Sequence, residues 1–181
     1  MIGAPLPDPT RQAVIGATAV TVTPPDAAPF PVQAVIEEQD TALILDMEPV
    51  LRPPRQSTPA LVSAMQQQRP RRPGEVIVRR GRPLRLLAVV HDLDREPGCQ
   101  AEWIETALTG VLQRCVRYRV RSAAVPQLGS VHGRFSGMHF VRLLRDALAR
   151  HNLPYPERLW LIAPEGDCDW IGRYLGKGSK Q

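Results

Sequence analysis

The residues best spaced for chemistry lie in the stretch Arg121–Gly137, RSAAVPQLGSVHGRFSG, where an apolar run ends at Pro126 and glycines follow at 129, 133 and 137 ahead of a helix-period segment. Glycine lets backbone amides converge on an anion at φ values other residues avoid, and the N-terminus of a following helix adds partial positive charge. Gly129, Ser130, Val131, His132, Gly133, Arg134 and Phe135 therefore form a candidate phosphate cradle, in which the amides of Gly129–Gly133 are expected to supply most of the binding. Glycines between a strand and a helix are also ordinary turn punctuation, and that plainer reading stands beside the first. His132 could donate to a phosphate or act as an acid near neutral pH, though simple exposure is the commoner role of a loop histidine.

Other chemistries find little support. Cys99, Cys115 and Cys168 are odd in number and lack any C-x-x-C pair, which argues for reduced thiols over a disulfide framework or a zinc ribbon. Cys168 between Asp167 and Asp169 is a cluster by composition only, because adjacent side chains seldom converge on one ion; no metal or cofactor is expected. Ser130 in LGSVHG lacks the second glycine of a nucleophile elbow, and no Walker A loop occurs.

The elements that must hold the loop can be read from periodicity. Fourteen of the 19 prolines lie at or before Pro83, so the N-terminal half reads as strands between stiff turns. Ala13–Thr23 and Pro31–Glu38, β-branched runs around TPPDAAPF, predict a long N-terminal hairpin over 13–38 at a sheet edge. Thr41–Met47 reads as a short buried strand and EPVLRPPRQS as a loop, and Thr58 with Pro59 opens a short helix ending before Pro70. From Glu75 onward the pattern changes. Strands at 75–79, 84–91, 121–126 and 158–163 alternate with helices at 100–117 and 138–151, which predicts βαβ units with the last three strands parallel. His91 ends the most apolar of these strands, where a buried hydrogen-bonding role is the expectation.

With 43% hydrophobic and 23% charged residues in 181, the chain suits one core: an extended or disordered N-terminus over 1–12, a single α/β domain over 13–175 and a flexible tail over 176–181. No run of 18 apolar residues occurs, and MIGAPLPDPTR has neither a basic n-region nor an apolar h-region, so a cytoplasmic protein without a membrane span is expected. Of 23 basic residues 21 are arginine, seven of them between Arg69 and Arg85. A basic surface supplies only the non-specific electrostatic part of nucleic-acid binding, and no sequence-reading motif accompanies it, so nucleic acid is the less favoured partner.

The segment Ser122–Gly133 resembles the macro domain, whose corresponding strand and loop read roughly [ST]-[IV]-A-[FV]-P-x-[LI]-[GS]-[TS]-G-x-G. PGEVIVRRGRPLRLLAVVHDL, Pro73–Leu93, is similar to a second macro pattern through Pro73, Gly74, Gly81, Leu84 and His91. The resemblance runs from about Val32 to Tyr174 and is closest over Pro73–Ala163. It implies a three-layer α/β/α fold with a mixed central sheet, here with an N-terminal β-hairpin extension, and ADP-ribose or a related nucleotide held at the C-terminal ends of the central strands.

Departures from the family pattern shape the functional expectation. EEQD, LDME and the glycine-free LRPPRQS stand where the family carries its adenine-binding Asp, its N-A-A-N and its diphosphate glycines. Asp40 could stand for the first of these and Asp46 is a further possible ligand contact; Arg52 and Arg55 either replace the lost amides with charged forks or decorate a loop that no longer binds, and Trp170 is an aromatic that could stack on adenine or anchor a terminal helix with Ile171 and Tyr174. Val131 replaces a loop glycine, and the catalytic Asn of hydrolytic members has no counterpart. The resemblance thus implies a divergent nucleotide-binding domain without catalysis. A scaffold domain that pairs with a protein partner through its N-terminal hairpin is the rival, and an ADP-ribosyl hydrolase the third reading.

Overall fold

The computed structural model of the chain describes residues 11–45, 70–130 and 134–177. Its elements run β1 Gln12–Ile15, β2 Thr18–Thr23, β3 Ala34–Asp40, β4 Val76–Arg79, β5 Leu84–His91, α1 Ala101–Tyr118, β6 Ser122–Pro126, α2 Gly137–His151, β7 Arg158–Ile162 and α3 Glu165–Gly176. The strands form one mixed sheet in the order β1-β2-β7-β6-β3-β5-β4. Its five inner strands are parallel, and the edge strands β1 and β4 are antiparallel to their neighbours. β5, β6 and β7 run parallel, as the alternation of apolar runs and helix-period segments predicts for 84–91, 121–126 and 158–163.

One hydrophobic cluster joins a single face of the sheet to all three helices. Val20, Val22, Ile36, Leu86, Ala88, Val90, Val125 and Leu161 meet Ile104, Leu108, Phe140, Val141, Ile171 and Leu175 there. The other face is covered as well: Thr21, Leu87, Val89, Ala124 and Trp160 are buried on it. A strand enclosed on both sides has no reason to alternate, which is why β5 reads as a continuous apolar run. The architecture is the three-layer α/β fold expected. Among the described residues, no helix is long and apolar enough to cross a membrane.

Two readings of the N-terminal half change. A hairpin does form the sheet edge, but within 12–23: Ile15 pairs with Thr18 around a two-residue turn whose Gly16 has φ +58. Glycine at the first central position suits the backbone that matches strand twist. The second run pairs with β5 and β6 at the sheet centre instead of with β2. Prolines at 24, 25, 29 and 31 carry the chain across the sheet and offer no tight turn between the two runs. Nor is 41–45 a strand; it turns about the Asp40 carboxylate, for reasons given below. The helix expected before Pro70 lies outside the described residues.

Candidate functional site

The sheet itself opens a crevice. β3 pairs with β6 only through Ala34–Ala123 and Val35–Ala124, after which β3 follows β5 and β6 follows β7. Both neighbours of this split are parallel, and the chain leaves them in opposite directions, the situation in which open α/β sheets take ligands beyond their carboxyl ends. Around the split lie Asp40–Leu45 after β3, Asp92–Cys99 after β5, Gln127–Ser130 and Arg134–Phe135 after β6 and Pro164 onward after β7.

A buried carboxylate spans it. Glu38 Oε2 accepts the backbone N–H of Gly129 at 2.7 Å, tying β3 to the loop after β6. Gly129 has φ +83, and a Cβ there would stand 2.8 Å from Cys99 Sγ and 2.9 Å from Phe135 Cβ, so the position needs glycine twice over. His91 Nε2 lies 3.6 Å from the other Glu38 oxygen, with both side chains buried. Burial, helped by the Glu38 charge, pushes the Cys99 thiol up to about 11, which leaves it protonated and a poor nucleophile at neutral pH.

The loop is closed on itself. Phe135 N–H donates to Gly129 O at 3.2 Å, Ser130 N–H donates to Gln127 O at 3.1 Å, and the Ser130 hydroxyl donates to the same oxygen at 2.5 Å. The amides of Gly129, Ser130 and Phe135 are therefore taken up inside the protein. Val131, His132 and Gly133 lie outside the described residues, as do Asp46, Arg52 and Arg55. Arg134 is exposed, and Phe135 stacks on His139 at 4.9 Å between centroids. Ser136 caps α2 by accepting the His139 N–H at 3.5 Å, so the helix N-terminus follows directly on the loop.

Asp40 is wholly buried. Its Oδ1 accepts Ala42 N–H at 2.6 Å, and its Oδ2 accepts Ile44 and Leu45 N–H at 2.9 and 2.8 Å. Three amides drawn to one carboxylate make the turn that replaces the expected strand, because a short acidic side chain competes with ladder hydrogen bonds. In this geometry Asp40 shapes the crevice wall from within. Trp170 sits on α3 with its ring half-buried against the core, and its Nε1 donates to Asp167 Oδ1 at 3.0 Å.

Glu38 and Gln127 are the residues that sequence reasoning passed over. The carboxamide nitrogens of Gln39 and Gln127 are buried without a hydrogen-bond partner among the described residues. A signal for Glu38 did exist: it continues the inward period of Ala34 and Ile36, and an acid at a core-facing position of a central strand requires a partner.

No family model matches the sequence, and no curated protein matches it. Solved structures do. The macrodomain of Thermus aquaticus DarG aligns with a TM-score of 0.58 and 19% identity over 81% of this chain and 99% of that one. The Oceanobacillus iheyensis macrodomain with ADP aligns with a TM-score of 0.64 and 11% identity over 91% and 93%. The macro domain of ganglioside induced differentiation associated protein 2 gives 0.54 and 17% over 82% and 79%. A variant of the O. iheyensis protein, 9% identical with a TM-score of 0.64, was solved with ADPR, and covers 91% and 95%. At such identities the likeness speaks for the fold.

Proposed function

From the macrodomain fold, we propose that the chain binds ADP-ribose or a related nucleotide in the crevice between β3 and β6 and does so without turning it over. The observation that carries this reading is the parting of β3 from β6 after two residue pairs, which leaves a slot at the carboxyl ends of parallel strands with a helix N-terminus beside it. Neighbours of the same fold solved with ADP and with ADPR support the ligand class. The lack of turnover is supported by what the two buried acids of the crevice are doing. Asp40 accepts three amides, Glu38 accepts Gly129, and neither is left as a base facing solvent. All three cysteines are free thiols, which agrees with a cytoplasmic setting.

The phosphate donors differ from those expected from sequence. With the amides of Gly129, Ser130 and Phe135 occupied, the contribution falls to Arg134 and the start of α2, together with loop residues outside the described set. Thermal shift and calorimetry against ADP-ribose, ADP, AMP and NAD test the proposal, since a ligand at about 100 times its Kd stabilises the fold by about 2.7 kcal/mol. A shift with ADP-ribose and no release of ADP-ribose from a modified protein is the expected result. Silence with all four ligands overturns it.

A second reading, a scaffold that pairs with a protein partner through its N-terminal hairpin, is the one that silence with all four nucleotides would favour.

A further inference from the structure

The end of the sheet opposite the crevice is an arginine face. All parallel strands begin there, and backbone hydrogen bonds tie their starts into one row: Leu84 N–H to Gln33 O at 2.8 Å, Gln33 N–H to Ser122 O at 2.9 Å and Arg158 N–H to Arg121 O at 2.9 Å. Arg80 and Arg82 in the β4–β5 turn, Arg117 and Arg119 at the end of α1, Arg121 before β6 and Arg158 opening β7 are all exposed on this row or at its rim. The acid among them is Glu157, 3.6 Å from Arg121, with both side chains half or more in water. Three strand steps separate β7 from β5, and at roughly 4.8 Å each the arginines span about 15 Å.

Aromatic rings punctuate this charge. Tyr118 is 43% exposed, lies between Arg117 and Arg119 in the chain, and carries the Arg117 guanidinium 5.9 Å from its centroid. Phe30 carries that of Arg158 at 4.7 Å. We propose that this face binds single-stranded nucleic acid without sequence preference, the arginines taking phosphates and Tyr118 stacking on a base. Guanidinium forks match phosphate oxygens, and an exposed ring amid cations is the platform such binding uses. A membrane surface fits less well: of the other exposed large hydrophobics among the described residues, Ile44, Leu93 and Met138 lie at the opposite end of the sheet, and Val14, level with Arg158 two strands away, is a single side chain, whereas lipid binding needs an apolar anchor beside the charge. The inference does not depend on the nucleotide reading, since the two sites occupy opposite ends of the sheet.

Fluorescence anisotropy with a labelled 20-nucleotide oligothymidylate and an oligouridylate of the same length, over a range of salt, tests it. Both strands should bind at low salt, with affinity falling as salt rises. The pair Arg82→Glu and Arg119→Glu should weaken binding roughly tenfold and flatten the salt slope by about 1.4, at about 0.7 per lost phosphate contact. Tyr118→Ala should weaken binding and leave the slope unchanged. Arg142→Glu with Arg173→Glu, the same charge change on α2 and α3, should have a far smaller effect. Unfolding midpoints show whether each variant is folded. The proposal fails if neither strand binds at low salt, if the two reversal pairs act equally, or if the protein binds phosphatidylserine vesicles and neither oligonucleotide.

Discussion

Glu38 on β3 holds the backbone of Gly129, 91 residues further along the chain, through a 2.7 Å hydrogen bond inside the protein. The bond crosses the place where β3 and β6 part, so one carboxylate sets the width of the slot and the position of its loop. Glu38→Ala should lower stability by about 1.5–3 kcal/mol, the range for a hydrogen bond to a charged group, and weaken nucleotide binding further by freeing the loop. Glu38→Gln, which keeps an acceptor, should recover part of both. Urea unfolding and calorimetry measure the two effects, and an alanine variant as stable as the parent would remove the bond from the argument.

Gly129 should tolerate no side chain. A left-handed residue with a Cβ loses about 1–2 kcal/mol by sterics alone, and contacts of 2.8 and 2.9 Å to Cys99 and Phe135 add to that. Gly129→Ala is expected to lower the unfolding midpoint, and Cys99→Ala beside it should restore only the part due to the sulfur clash. Full rescue by the second substitution would show that the backbone angle carries no strain.

Asp40→Ala should loosen the turn over 41–45, because Ala42, Ile44 and Leu45 lose their shared acceptor. The expected loss is about 1.5–3 kcal/mol, with faster amide exchange confined to that turn. Unchanged exchange at those three amides would contradict the role assigned to the carboxylate.

Burial raises two thiols, Cys99 to about 11 and Cys115 to about 12, from an ordinary value near 9. The folded state therefore favours the protonated form. Its contribution is whole below about pH 9 and is lost as pH climbs through 9 toward 11–12. Urea midpoints should fall over that range, and less steeply once both cysteines are alanine. At pH 8, iodoacetamide should label the folded protein far more slowly than the urea-unfolded one; equal rates would refute the protonated state.

Periodicity alone carried the C-terminal half of the chain. A run such as LRLLAVVH is legible because burial on both faces permits no polar residue, and the stripes of 100–117 and 138–151 are legible because one helix face meets one core. The glycine-bearing loop after β6 was legible for the same local reason. Pairing was not. Whether Ala13–Thr23 turns on Gly16 or joins Pro31–Glu38 depends on which partner buries more, and only the assembled sheet decides that. The occupation of the Gly129 amide by Glu38 and the arginine row at the strand starts belong to the tertiary structure as well, whereas the Ser130 amide and the three amides on Asp40 are taken within five residues along the chain. Sequence spacing reports which way a side chain faces along its own element, whereas a hydrogen bond between residues 91 apart exists only after packing has brought two elements together.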